Sequence, residues 1–331
     1  MMRCVLLLLI LLGTFAMTGG SANGQRPLRV GFVIGPGDTP DRSQLFGLPY
    51  DGFIKAVKAF DVEGRVLEVA PNQDAQAVLT FLARQKYDLV VTGLPDPWSV
   101  AAVAPKYPDT KFLLPDFPRQ TLLQVGSRAP KNVQGTVFRA QEAGYLAGYL
   151  AALMEKRRPG RDVIGSVGGY KLGGVDRWIV GYEAGAKRAA PGIVTLRTYA
   201  KSFSNPEKCR AVALEQIAKG AGAIFNVAGG CGFGALAAAK EKGVWGVGVD
   251  VDQSYLGPHI LTSAVIRLDV PVFDAVRRLV KGTFTTGGNT IIDLRSGGVR
   301  LGKISPEVPP SILRKVDGLR REIIARKIEV P

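Results

Sequence analysis

Residues 223–250 read AIFNVAGGCGFGALAAAKEKGVWGVGVD, and this stretch decides the fold. Residues 223–227 form a short run without charge, as a strand buried on both faces requires. A glycine-rich turn follows, then an alanine-rich helix over 234–241. A second apolar run over 244–249 ends at Asp250. Strand, tight turn, helix and strand make one unit of a parallel sheet covered by helices.

The same alternation runs through the chain. Further strands are expected at 28–34, 65–69, 89–92, 112–114 and 122–125, and then at 163–167, 193–199 and 260–265. Helices are expected at 50–60, 74–85, 98–104, 140–156, 177–189, 206–219 and 272–280. The tail from Pro306 carries Pro309-Pro310 and then an amphipathic helix over 312–328. Two doubly wound α/β units of similar size, split near Gly135, account for this order. Glycines gather after the strands at Gly35-Pro36-Gly37, Gly168-Gly169, Gly173-Gly174 and from Gly229 to Gly234. That is the edge where open α/β sheets take ligands. Recurrence in both units points to a ligand between two lobes, with Gly169 and Gly230 facing it.

The N-terminus has a separate character. Arg3 precedes an apolar run over 5–17, and small residues fill 18–24. This is the layout of a secretory signal peptide over 1–24, too short for a comfortable membrane span of about 20 residues. Cys4 lies before the apolar core, which argues against a lipid anchor and for a free periplasmic protein. Hydrophobic residues at 46% and charged residues at 21% are ordinary globular proportions. The net charge of +15 is scattered, with its densest groups at Lys156-Arg157-Arg158 and Arg320-Arg321 near helix ends. No nucleic-acid motif accompanies it. His259 is the single histidine, which excludes His-rich zinc sites and leaves little for a catalytic pair. No metal and no cofactor is expected.

Two cysteines lie beyond the signal segment, Cys209 and Cys231. The first falls in the opening turn of a helix and the second just past the strand which that helix feeds. Antiparallel packing of helix on strand brings these ends together, so a disulfide is expected in an oxidising compartment. Such a loop closure stabilises by about 3 kcal/mol in the chain-entropy account. Two free buried thiols are the alternative. The segment from Gly230 to Ala235 also imitates a GxGxxA dinucleotide turn, with Asp250 near the expected roughly 20-residue spacing. An exported NAD(P)-dependent oxidoreductase is therefore a second reading. The late position of the turn and the shortage of proton-relay groups argue against it.

Taken together, these segments resemble the basic membrane protein family of ABC-transporter substrate-binding proteins, which includes purine nucleoside receptors. The resemblance rests on FRAQEAGYLAG at 138–148, Gly168-Gly169, GYEAGAK at 181–187 and YAKSF at 199–203. AGGCGFG at 228–234, GVDVDQ at 248–253 and Leu261-Thr262-Ser263 complete it. It implies a periplasmic-binding-protein-like fold, with two doubly wound lobes joined by several crossover segments. Lobe I is expected over 28–135 with a return near 259–290, lobe II over 136–258, and a closing segment over 291–331. In nucleoside-binding relatives aromatic rings sandwich the base and an aspartate holds the ribose hydroxyls. By resemblance Asp250 is that aspartate, Phe203 a stacking ring, Glu142 an acidic pocket residue, and Phe46 a second ring after a small register shift.

The chain departs from the pattern in two places. It reads DRSQLF at 41–46 where members commonly have DKSFN. Ile266 fills a position where a lysine is frequent. The resemblance implies a non-enzymatic, monomeric receptor that delivers a nucleoside, nucleobase or sugar-like solute to an ABC permease and its ATPase. A sensory binding protein is a further alternative.

Overall fold

The structure is a computed structural model that describes residues 26–35, 47–70, 73–93, 97–124, 129–160 and 162–331. The expected signal segment 1–24 and the expected ring Phe46 lie outside the described residues. Among the described residues no helix is long and apolar enough to cross a membrane.

Among the described residues two six-stranded sheets organise the fold. The first contains β1 (Leu28–Ile34), β2 (Val62–Glu68), β3 (Leu89–Thr92), β4 (Lys111–Leu114), β5 (Val133–Phe138) and β11 (Asn289–Ile292) in the order β2-β1-β3-β4-β5-β11. All its pairings are parallel. The second contains β6 (Val163–Gly168), β7 (Val194–Tyr199), β8 (Ala223–Val227), β9 (Trp245–Asp250), β10 (Ile260–Ile266) and β12 (Val299–Leu301). Its order is β7-β6-β8-β9-β10-β12, and only β12 runs antiparallel to its neighbour. Interior strands are apolar because both faces are covered, and every residue of β3, β8 and β10 is buried. The edge strands β2 and β7 carry Glu63, Arg65 and Arg197 and are largely open.

Helices cover both faces. In the first lobe α1 (Leu48–Ala59) and α8 (Asp269–Val280) share a core with β1 and β3, while α2 (Ala75–Arg84) and α3 (Pro97–Val103) cover the other face. In the second lobe α4 (Ala140–Glu155), α5 (Gly173–Ala189) and α9 (Pro310–Ile324) cover one face. The other is covered by α6 (Pro206–Ala218) and α7 (Gly232–Glu241). Local chemistry sets the helix starts. Asp74 caps α2 by accepting the Gln76 N–H, and Asn205 caps α6 by accepting the Glu207 N–H, with Pro206 in the first turn.

The glycines of the 138–148 and 181–187 segments serve helix packing. A Cβ at Gly148 would stand 1.8 Å from the Tyr182 carbonyl oxygen, and one at Gly185 1.9 Å from that of Tyr145. The backbones of α4 and α5 therefore touch, so these matching segments mark a helix crossing.

Three elements differ from expectation. The strand expected at 122–125 is a 3-10 turn over Arg119–Gln124. The Arg119 N–H donates to Asn289 Oδ1 at 2.7 Å, its guanidinium reaches the Ala129 and Pro130 carbonyls, and Leu122 is buried beneath. The fifth strand is instead β5, whose buried Gln134 and Thr136 blurred its apolar pattern. The return to the first sheet also begins later than 259. β10 pairs with β9 and β12, so the chain crosses back only at 267–268, into α8 and then β11. It crosses again after β11 to reach β12 and α9.

Candidate ligand cleft

Both sheets have their strand-order switch beside their first strand, between β1 and β3 and between β6 and β8. The crevice beyond the strand C-termini at such a switch is the natural ligand site. In the second lobe Phe203 fills its mouth. A Cβ at Gly169, just after β6, would sit 2.3 Å from the Phe203 ring. Gly229, at φ 55°, and Gly230 lie against the Phe203 backbone. The glycines expected to face ligand thus form a cradle for an aromatic ring. Phe203 remains 41% exposed, and Tyr170 lies against it at 5.2 Å between ring centroids. Together they offer an apolar π face for stacking.

The same geometry answers the dinucleotide reading. Space for a Cβ at Gly232 is filled by the Asn226 amide, and space at Gly234 by the Pro206 carbonyl. Those glycines are consumed by internal packing, and the open side of the turn is occupied by Phe203.

Asp250 ends β9 at φ 66°, a left-handed backbone uncommon for a residue with a side chain. The Val251 N–H donates to the Val249 carbonyl at 2.7 Å across it, closing a tight γ-turn. A buried network braces that turn. Gln253 Oε1 accepts from the Val249 N–H at 3.1 Å and from Asn226 Nδ2 at 3.2 Å, and the Gln253 N–H donates to Ser263 Oγ at 3.0 Å. Burial pushes the Asp250 carboxyl up to about 6.

A second acid faces it from the first lobe. Asp116, two residues past β4, adopts φ 61° and its N–H donates to Thr136 Oγ1 at 2.6 Å. Water reaches its side chain, yet protein crowds it. Desolvation first and the Asp250 charge second push its carboxyl up to about 7, against the pull of Arg177. The Asp250 charge disfavours ionisation of Asp116, and the Asp116 carboxyl is the more strongly raised of the two. Arg177, from α5, donates to the Phe138 carbonyl at 3.2 Å where the first crossover begins. Asp116 and Arg177 escape sequence reading: one follows Leu114-Pro115 as an ordinary turn acid, the other resembles a solvated helix cation. The one sign was Asp116's likeness to Asp250, an acid at a strand's C-terminal end.

Glu142 does not join this group. It is 1% exposed, and its Oε2 accepts the Leu294 N–H at 2.9 Å. Its Oε1 lies 2.9 Å from Arg139 and 3.3 Å from Arg326, which also pairs with Asp293 at 2.5 Å. The carboxylate therefore ties the first crossover to the third through the C-terminal segment. Burial raises its proton affinity, partly offset by the Leu294 N–H and Arg139. Ile266 is 3% exposed within β10, so its position does not open to the cleft.

Cys209 and Cys231 form a disulfide with 5.5 Å between Cα atoms, as expected from the chain order. Among the described residues no group of three or more His, Cys, Asp or Glu side chains is placed to hold a metal ion. Two hollows of about 410 and 530 Å³, one lined by Pro105 and Lys131 and the other by Arg84 and Tyr107, lie at the opposite, N-terminal edge of the first sheet. They hold none of the cleft residues.

Among the described residues, two doubly wound lobes linked by three crossovers make a periplasmic-binding-protein-like fold. The chain belongs to the Bmp family, the PnrA-like substrate-binding proteins of ABC transporters, which it matches over residues 37–331. Basic membrane protein B of Borrelia garinii subsp. bavariensis is 37% identical over 61% of this chain, although the match spans only 58% of that relative. A CD4+ T-cell-stimulating antigen of Listeria innocua serovar 6a is 28% identical over 94% of this chain and 90% of its own length. Among solved structures, an ABC transporter solute-binding protein from Conexibacter woesei is 25% identical, with a TM-score of 0.69 over 92% of this chain and 98% of that one.

Proposed function

We propose that this chain is the exported, periplasmic receptor of an ABC importer and captures a purine nucleoside by closing its lobes around it. The observation that carries the reading is one cleft edge holding an exposed ring on a glycine cradle and two aspartates from opposite lobes. A flat base stacks on Phe203 and Tyr170, while hydroxyls donate to carboxylates. Trp98, 59% exposed in the first turn of α3, follows β3 at the corresponding edge of the first lobe and is the ring there for the base's second face. Family membership supports the transport role, and the apolar segment at 5–17 supports export. Ligand favours the closed form because only there do both lobes contact it.

A thermal-shift panel of nucleosides, nucleobases and sugars tests this. Ligand at 100 times its Kd stabilises by about 2.7 kcal/mol. Inosine, guanosine or adenosine is expected to raise the melting temperature and ribose alone to leave it unchanged. A shift with sugars only would replace the nucleoside with a carbohydrate.

A further inference from the structure

The segment carrying Phe203 is short, leaving β7 at Tyr199 and entering α6 at Pro206. Its first half hangs on the end of β6: the Ala200 N–H donates to the Gly168 carbonyl at 2.8 Å and the Ser202 N–H to that of Gly169 at 3.3 Å. Its second half is folded on itself, with Ser202 Oγ accepting the Ser204 and Asn205 N–H groups at 3.2 and 2.9 Å. Phe203 sits between these halves. One more bond fixes its backbone: the Cys231 N–H donates to the Phe203 carbonyl at 2.9 Å. Cys231 is also the residue bridged to Cys209, six positions beyond Phe203 in the first turn of α6.

A closed ring results. It runs from Phe203 through the hydrogen bond to Cys231, across the disulfide to Cys209, and back along the chain. Both cysteines are fully buried, so the bridge is an internal brace. The glycine cradle blocks the ring's inward motion, while this loop fixes the backbone that carries it. A bridge serving only to stabilise the fold need not share a residue with the anchor of the exposed ring.

We propose that the Cys209–Cys231 disulfide is a positioning element for Phe203, holding the ring at the cleft mouth in its stacking orientation. The affinity arm of the test rests on the nucleoside reading; the spectroscopic arm does not. The Cys209→Ala/Cys231→Ala protein is expected to fold, because α6 and α7 still pack through the contact of Gly234 with Pro206. In a Phe203→Trp background, removing the bridge is expected to increase acrylamide quenching of the added tryptophan. With Phe203 in place, inosine affinity is expected to fall about fivefold, part of the loss expected when an aromatic stack is removed altogether. A bridge with a purely structural role would lower the melting temperature and move neither readout. Gly169→Ala supplies a second route, since its methyl displaces the ring directly with the disulfide intact. It should reproduce the affinity loss, and combining it with the cysteine changes should add little. Unchanged quenching in a folded, bridge-free protein overturns the proposal, whether or not inosine binds. If the wild type binds no nucleoside while quenching rises as expected, only the ligand reading fails.

Discussion

The two lobes repeat one plan and execute it differently. Each lays its first five strands in the same order, so β4 and β9 are equivalent, as are β5 and β10. Each fourth strand delivers an aspartate at positive φ, Asp116 at 61° and Asp250 at 66°. In each, a hydroxyl on the fifth strand braces that acid's surroundings, Thr136 in one lobe and Ser263 in the other. The difference lies in depth of support. Asp116 rests on one backbone bond to Thr136, whereas Asp250 stands on a γ-turn gripped by Gln253, which joins β8, β9 and β10. Backbone strain costs about 1–3 kcal/mol per residue and persists where surroundings over-determine it. The second lobe is the more firmly braced half of the cleft.

Removing each acid in turn is the strongest way to break that contrast. Asp250→Ala is expected to cost about 1.5–3 kcal/mol of binding, on the order of 10- to 100-fold, as lost charged hydrogen bonds do. Asp116 is raised to about 7 and so is only partly ionised at neutral pH, which makes it the weaker acceptor, and Asp116→Ala should cost only about 3- to 10-fold. Calorimetry with the ligand found in the thermal panel reads both. Equal losses would make the lobes equivalent, and no loss with Asp250→Ala would remove that residue from the site.

The supports behind the acids sharpen the comparison. Gln253→Met keeps the volume but strands the Val249 N–H and the Asn226 amide, both buried. Buried unpaired donors cost about 1–3 kcal/mol each, so a loss of about 3 kcal/mol in denaturant unfolding is expected. Thr136→Val removes the bond from the Asp116 N–H and the bond to the Leu114 carbonyl and should cost about 1–2 kcal/mol. If the two losses match, the second lobe's network has no special standing.

Much of this was legible in the sequence, for reasons the same comparison explains. Buried strands such as 223–227 and 260–266 advertise themselves because both faces are covered. β5 did not, because Gln134 and Thr136 are buried polar residues that serve β11 and Asp116 across the sheet. Asp250 was reachable through a matching segment and a strand that ends on it. Glu142 came through the same resemblance, yet its carboxylate is spent on Leu294, Arg139 and Arg326, partners up to 184 positions away. Long-range pairing of that kind leaves no local pattern. The pattern of the glycine turns points Gly169 and Gly230 at ligand, but the space beside Gly169, Gly229 and Gly230 belongs to Phe203.

The smallest expected effect concerns protons. Both acids titrate above the ordinary aspartate value of 3.8, Asp116 at about 7 and Asp250 at about 6. A carboxyl whose folded pKa is raised favours the folded state most below pH 3.8, and that advantage is lost as pH rises through the folded value. Melting of the ligand-free protein should therefore lose this contribution between pH 4 and 7, with Asp116 supplying the upper part. Water reaches Asp116, so the change is held to about 1 kcal/mol, or about 2 °C in a chain of this size. Nucleoside affinity should run the opposite way, because ionised carboxylates are the better acceptors. In Asp116→Asn the melting profile should flatten between pH 6 and 7 while the lower part, from Asp250, survives. A profile identical to wild type would mean that Asp116 titrates normally and does not feel Asp250 across the cleft.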